Sequence, residues 1–563
     1  MKPSFISHLA TITLVGSFLG LGQGVLLAQS QPGGLSTLPD FDYWADRCRT
    51  LAQADQLEQA IPACEQAIAL RSGDKTLWIL YADVLYRLGR YGEAAAAAKS
   101  ALRYDDRNSE ALTSRCRALL AIHQYEAAIA ACAQALEVNE NWGTLTPKLA
   151  WFKQGLALVR VGRAAAGIKA YDESLKLDPR QSGVLTHRCQ ALLQLETFEA
   201  AIGDCRQALD VDAQWGGQSP KSAWNAQGSA LQMLKRLEEA VFAYDQSLRL
   251  DAKQPIIWAK QGLILRELDR DADALVAFTQ AVQSKPDYTL ALVNQCTLLN
   301  QFGQYDAALR ACEAAIRGDG SWGPLGPAQG WDQQANALAG LRRLEEALAS
   351  AERAVNMAPD YPTAWNNRGV ILWSLQRYDD ALTSVDRALE LRQDYARAWF
   401  NRGRILRELG RYAAAARAYD EVIRLEPENA LAWANQSAVL WQMKRYDLAL
   451  RAADAAIDRQ PSLALAWYNR GTALSSQGRY SEAISAFDRA LELTPTDTGS
   501  LTGKGLSLVA IGEDEAAVPV LQQALRLNPN QILAQENLKQ AAKRILLRQK
   551  EEQERKRQEQ MKK

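Results

Sequence analysis

Ala364–Leu391 reads AWNNRGVILWSLQRYDDALTSVDRALEL, and Ala398–Leu425 reads AWFNRGRILRELGRYAAAARAYDEVIRL. The two stretches align at an offset of 34, and two more copies follow in the same phase, beginning at Ala432 and Ala466. Extending the register both ways yields fourteen units, starting at 41, 75, 109, 148, 182, 221, 255, 289, 328, 362, 396, 430, 464 and 498. Each unit shows helical periodicity twice, with a turn near its fifteenth residue and often a Pro near its thirty-second. In the unit from 464, Trp467, Gly471 and Leu474 share one face of the first helix. Ala483, Phe487 and Ala490 share a face of the second, and Pro495 stops it. No unit can bury such stripes alone, so neighbours must stack into a solenoid.

The W…G…Y…A…F…P pattern at period 34 resembles the tetratricopeptide repeat (TPR), over residues 41–531. The resemblance implies an all-α fold: a right-handed superhelical α-solenoid of antiparallel helix hairpins, whose first helices line a groove that binds extended peptides or partner proteins. The units from 109, 182 and 289 depart from it, with Leu112, Leu185 and Leu292 in place of the early Trp. These units end instead in Trp142, Trp215 and Trp322, each followed by Gly and an insertion closing with Pro: WGTLTP, WGGQSP and WGPLGP. The insertions divide the array into 41–142, 148–215, 221–322 and 328–531, with loops at 143–147, 216–220 and 323–327. Either each late Trp covers the seam that the missing Trp leaves open, or it tips a loop that bends the array or touches a partner.

The eight cysteines form four pairs: Cys48 with Cys64, Cys116 with Cys132, Cys189 with Cys205, and Cys296 with Cys312. Each pair occupies the eighth and twenty-fourth positions of its unit, which lie level in an antiparallel hairpin. Helix axes about 8–10 Å apart, less two Cα radii of about 2.3 Å, leave about 4–6 Å between facing Cα atoms. That suits a disulfide. Small buried thiols would explain either column but not the strict pairing. Zinc suits it less, because each hairpin offers two thiolates where four ligands are wanted. Four intramolecular disulfides are the expectation, structural in role, since a redox-active site favours a short C-x-x-C spacing.

The 563 residues are 48% apolar and 23% charged, the balance of a folded chain. Lys plus Arg and Asp plus Glu both number 65, so the basic excess of a nonspecific nucleic-acid binder is missing. Only His8, His123 and His187 offer imidazole chemistry. There is no H-E-x-x-H or G-x-S-x-G, and GSLTGK at Gly499–Lys504 falls short of a phosphate-binding loop. No enzyme activity, cofactor or metal is expected. Residues 1–28 read as a signal peptide or membrane anchor, with Leu9–Ala28 uncharged, and 29–40 as a linker. Export to an extracytoplasmic compartment such as the periplasm follows, and it agrees with cysteine pairing.

The repeat register places an asparagine column on the groove side: Asn367, Asn401, Asn435 and Asn469, with Asn294 further up. Side-chain amides both donate and accept, so a ladder of them suits an extended peptide backbone. Around it are expected Trp373, Arg397, Phe400, Arg404, Arg407, Trp441 and Tyr468, aromatic faces and guanidinium groups that suit acidic or apolar-acidic segments. A solvated helix face with incidental aromatics is the plainer reading. The carboxylate clamp of chaperone-binding relatives is only partly matched. Asn336, Asn367 and Arg397 fit it, but Asp332 stands where a lysine is needed and Asn401 where an arginine is.

Residues 532–563 read as a capping helix with a charged tail, nine basic residues against four acidic from Lys543 onward. The expected function is a non-enzymatic scaffold that binds a protein or extended peptide. An extracytoplasmic holdase for unfolded clients is the alternative. Nucleic acid is not an expected partner, and membrane contact is expected only through the N-terminal segment or the basic tail.

Overall fold

A computed structural model describes residues 40–562; the signal or anchor segment 1–28 and nearly all of the linker lie outside the described residues. These residues fall into two compact units, one ending at Pro179 and the other beginning at Arg180. Among the described residues there are helices and no strands.

The first unit holds four antiparallel hairpins. They are α1 (Phe41–Gln53) with α2 (Leu57–Leu70), α3 (Lys75–Arg87) with α4 (Tyr91–Ala101), α5 (Ser109–Ala121) with α6 (Tyr125–Val138), and α7 (Pro147–Arg160) with α8 (Ala164–Leu177). The second holds ten more. Its first five are α9 (Ser182–Gln194) with α10 (Phe198–Val211), α11 (Pro220–Met233) with α12 (Leu237–Leu250), α13 (Pro255–Glu267) with α14 (Asp271–Ser284), α15 (Thr289–Gln301) with α16 (Tyr305–Arg317), and α17 (Pro327–Gly340) with α18 (Leu344–Met357). Then come α19 (Pro362–Ser374) with α20 (Tyr378–Leu391), α21 (Ala396–Glu408) with α22 (Tyr412–Leu425), and α23 (Ala430–Gln442) with α24 (Tyr446–Arg459). Finally α25 (Ala464–Ser476) pairs with α26 (Tyr480–Leu493), α27 (Thr498–Ala510) with α28 (Asp514–Leu527), and α29 (Ile532–Lys562) follows alone. Within each unit the second helix of a hairpin packs on the first helix of the next, which makes each a solenoid of hairpins. The fourteen hairpins are numbered here as repeats 1–14.

The hairpin turn has one geometry throughout. The fifteenth residue of every repeat has positive φ, from 57° at Glu196 and Asp269 to 87° at Gly512. The next N–H reaches back five residues, as Arg377 N does to Leu372 O at 2.9 Å, the bond that closes a helix on a left-handed residue. Six of these residues are Gly; the other eight, among them Gln376 and Arg342, carry a Cβ in a region that disfavours it. Gln376→Gly is expected to raise stability by up to about 1 kcal/mol. Urea unfolding would show it, and a lower midpoint would refute it.

Positions eight and twenty-four pack against each other. In repeats 4, 6, 7, 11 and 13 the eighth residue is Gly and the twenty-fourth an aromatic ring. A Cβ on Gly471 would lie 2.7 Å from the Phe487 ring. In repeats 1, 3, 5 and 8 two cysteines fill the same space, and all four expected disulfides are present. The Cα atoms of Cys48 and Cys64 are 4.9 Å apart, and those of Cys116 and Cys132 are 5.3 Å apart. Between Cys189 and Cys205 the distance is 5.6 Å, and between Cys296 and Cys312 it is 5.4 Å. No free cysteine remains among the described residues.

Trp at position four has a role beyond filling the seam. In repeats 2, 7 and 10–13 its indole N–H donates to the carbonyl six residues earlier, closing the turn from the preceding repeat: Trp365 to Pro359 O at 3.0 Å, Trp399 to Gln393 O at 2.8 Å, Trp467 to Pro461 O at 2.8 Å. Repeats 3, 5 and 8 replace this device. Their insertion loops fold back on the first helix of the same repeat. The Ser182 hydroxyl donates to Ala208 O at 2.7 Å and accepts from Ala213 N at 3.1 Å. Ser109 makes the same pair of bonds with Ala135 O and Glu140 N. A Cβ on Gly183 would sit 2.3 Å from Trp215 O, so the loop's close approach requires glycine there. Trp322 packs beside the Leu292, Val293 and Ala315 cluster. Trp322 therefore covers the seam of its own repeat and lies against Gly330 of the next.

At the far end α29 lays Ala534, Leu538 and Ala541 on the cluster formed with Leu508 and Leu521. Arg544 and Arg548 reach the fully buried Asp514 at the start of α28. Among the described residues no helix is long and apolar enough to cross a membrane.

Candidate functional site

The N-R-G motif of the first helices has a structural meaning. Arg at position seven crosses to an acid at position twenty-five of the preceding repeat: Arg402 to Asp386 at 2.6 Å and Arg470 to Asp454 at 2.8 Å. Asn at position six turns the other way, toward the preceding first helix. Asn367 Nδ2 donates to Asp332 Oδ1 at 2.9 Å, Asn401 Nδ2 to Asn366 Oδ1 at 2.9 Å, and Asn469 Nδ2 to Ala434 O at 2.7 Å. Asn435 and Asn294 instead donate to carbonyls of their own helices, Leu431 O and Leu290 O, both at 2.8 Å. Their Oδ1 atoms accept from Arg407 and Arg266 of the preceding repeat, at 3.3 and 2.7 Å. All five asparagines are 4–8% exposed. Their amides are committed to neighbouring helices, so a peptide reaching them must compete with those bonds. The column is a fastener between repeats.

The surrounding residues are more open. Arg397 is exposed, while Trp373, Phe400, Arg404, Arg407, Trp441 and Tyr468 are half-buried. The Arg404 guanidinium lies over the Trp373 indole, 4.1 Å from its centroid. Phe400 meets Tyr419 edge-on at 5.7 Å. Trp373, Phe400, Arg404 and Arg407 therefore gather on repeats 10 and 11. Trp441 and Tyr468 follow on repeats 12 and 13, where Trp441 Nε1 donates to Ser476 Oγ at 2.7 Å and Tyr468 packs on Phe487. Asn294 belongs to repeat 8.

One carboxylate beneath this face is unusual. Asp332 is fully buried, and burial pushes its pKa up to about 6. Hydrogen bonds from Asn367, Tyr361 and Gln333 and the charge of Arg397 pull the other way. It begins a buried polar chain: Asp332 accepts from Asn367, Asn367 from Asn366, and Asn366 from Asn401. An acid at this place cannot act as the lysine of a carboxylate clamp.

Sequence reasoning missed the second-helix face. Clefts of about 560, 430 and 680 Å³ open between successive second helices, floored by Trp224, Trp331 and Trp433. The register carried a signal for them, a Trp at position four followed by a polar residue at position seven: Gln227, Gln334 and Gln436. In the first unit a cavity of about 530 Å³ lies on the first-helix face between α1 and α3, with Asp46, Asp83 and Arg87 on its walls. Among the described residues no group of three or more His, Cys, Asp or Glu could hold a metal ion.

Known proteins share this pattern. "Small glutamine-rich tetratricopeptide repeat-containing protein 2" of Mycosarcoma maydis is 33% identical over 92 residues, 16% of this chain and 25% of that protein. "Hsp70-Hsp90 organizing protein" of Triticum aestivum is 29% identical over 102 residues, 18% of this chain and 17% of that protein. The chain thus spans a quarter or less of the length of these relatives. Among solved structures, a chain of the APC/C hetero-tetramer Cut9-Hcn1 is 16% identical with a TM-score of 0.41, covering 90% of this chain and 96% of that one. Sequence models described as tetratricopeptide repeat match residues 46–111, 115–182, 152–218, 188–255, 333–396, 371–430, 400–461 and 435–498, and a second such model matches 499–531. Repeats matched in this way over most of the chain, and built as antiparallel hairpins closed by one turn geometry, place it in the tetratricopeptide-repeat family.

Proposed function

We propose that the protein is a non-enzymatic interaction scaffold that holds a partner protein or an extended peptide on the first-helix face of repeats 10–13. The observation that carries this reading is the row of accessible aromatic and cationic side chains there: Arg397, Phe400, Arg404, Trp441 and Tyr468. Large amphipathic side chains of this kind dominate binding energy at interfaces, whereas the buried asparagines hold the repeats together. Family membership and the name of the organising relative support a role in bringing proteins together. The four sulfur pairs support an oxidising, extracytoplasmic setting, because thiols within bonding reach stay reduced in most cytosols.

The test is affinity capture from an extract of the source cells with wild type, Arg397→Ala/Trp441→Ala, and Arg417→Ala as a control on the second-helix face. The double variant is expected to lose the wild-type partner set by tenfold or more, about the effect of two interface anchors, while the control keeps it. Equal capture by all three would sink the assignment of this face.

A further inference from the structure

Repeats 6 and 11, like repeat 4, carry Gly at position eight and Tyr at position twenty-four: Gly228 with Tyr244 and Gly403 with Tyr419. Each tyrosine lies across its glycine: a Cβ on Gly403 would be 2.7 Å from Tyr419 Cζ, and one on Gly228 would be 2.6 Å from the Tyr244 ring. Both phenols thus reach positions nine and twelve of the first helix, on the face proposed for binding. In repeat 6 those positions are Ser229 and Gln232. The Tyr244 hydroxyl sits 3.1 Å from Ser229 Oγ and donates to Gln232 Oε1 at 3.3 Å.

In repeat 11 the corresponding residues are Arg404 and Arg407, which only donate. The Tyr419 hydroxyl is buried with no hydrogen-bond partner, and neither arginine offers an acceptor for its proton. Arg407 is already engaged, with Nη1 on Asn435 Oδ1 at 3.3 Å and Nη2 on Glu408 Oε1 at 3.0 Å. Arg404 has no hydrogen-bond or ion-pair partner among the described residues and lies over the Trp373 ring. Burial also lowers its pKa. Trp373 Nε1, beneath it, is buried without an acceptor as well. Two buried donors, the Tyr419 hydroxyl and Trp373 Nε1, thus lack an acceptor among the described residues, and the half-buried Arg404 charge lies over the same indole. Native interiors rarely leave such groups unmatched.

We propose that Arg404, Tyr419 and Trp373 form a carboxylate-anchoring subsite on the first-helix face of repeats 10 and 11. The ligand group is a carboxylate, because it brings acceptor lone pairs and one negative charge, and the guanidinium fork matches its shape. The Arg404 side chain, free of other bonds, turns from the indole toward the incoming group, and the carboxylate takes the position that Ser229 and Gln232 hold in repeat 6. This subsite rests on the groove reading above and names the chemistry of its ligand.

The test uses the full chain and fluorescein-labelled peptides followed by anisotropy. One peptide alternates leucine and glutamate and is amidated at its C-terminus. A second replaces each glutamate by glutamine, and a third is the glutamine peptide with a free C-terminal carboxylate. The glutamate peptide is expected to bind about tenfold tighter than its amidated glutamine counterpart, as a charge-assisted bidentate contact allows. If the third peptide matches the first, the anchored group is a chain terminus as readily as a side chain. Arg404→Gln should erase the preference, and Arg417→Gln, on the opposite face, should not.

Tyr419→Phe should weaken the glutamate peptide several-fold without lowering the melting temperature, because the lost hydroxyl had no partner; a merely structural tyrosine would do the reverse. Equal binding of the glutamate and amidated glutamine peptides overturns the subsite and leaves the groove standing. Absence of binding by all three counts against both.

Discussion

Asp332→Asn is expected to stabilise the protein at neutral pH by about 2–3 kcal/mol and to change nothing near pH 4. Asp332 is fully buried, with a folded pKa of about 6 against an ordinary 3.8. Because the folded value is raised, the neutral acid is the form the fold prefers. Its contribution is complete below the unfolded pKa and is lost as pH rises through about 6. Above that the chain must bury a carboxylate whose support is three hydrogen bonds and the charge of Arg397. Asparagine keeps the acceptor for Asn367 and never ionises. Hydrogen exchange at amides of α17 and α19, at pH 4 and at pH 7.5, measures the effect where it arises. A variant less protected than wild type at pH 7.5 but not at pH 4 would show that the carboxylate is needed as a charge.

Removing one disulfide should be the other large effect. Cys189→Ala with Cys205→Ala opens a short covalent loop between α9 and α10, worth about 3 kcal/mol by loop entropy. The void left where both sulfurs were fully buried adds about 1 kcal/mol more. Since each repeat contacts only its neighbours, the loss should concentrate in α9 and α10 rather than spread over the chain. Hydrogen exchange resolves this, and protection equal to wild type in both helices would mean that the sulfur pair contributes nothing. The pairing rule at positions eight and twenty-four adds a rescue. Cys189→Gly with Cys205→Tyr installs the pair used in repeats 4, 6 and 11 and should recover part of the lost stability.

How far the register could be read depended on what each side chain had to satisfy. Cys48 with Cys64, Cys116 with Cys132, Cys189 with Cys205 and Cys296 with Cys312 were all legible, because facing positions in a hairpin follow from backbone geometry alone. The cost of the turn at position fifteen was hidden, since Gln376 or Arg342 in a left-handed conformation looks like any surface residue in the sequence. The asparagines mark the boundary most clearly. Period 34 places Asn401 on the groove side, but Asn366 across the seam claims its amide. That depends on the distance between first helices, which no single repeat encodes. Tyr419 is the converse. Its ring reads as core filling, yet its buried hydroxyl lies near the Arg404 and Arg407 charges of the first helix and has no hydrogen-bond partner.

The chain by itself determined the number, length and phase of the hairpins, because burying a stripe of side chains every 34 residues allows one stacking period. It also determined which cysteines meet, since they are level within one hairpin. Only the tertiary structure decided which polar groups are spent holding repeats together and which remain unmatched. Hydrogen-bond satisfaction is a property of the packed neighbours, and the neighbours are supplied by the adjacent repeats.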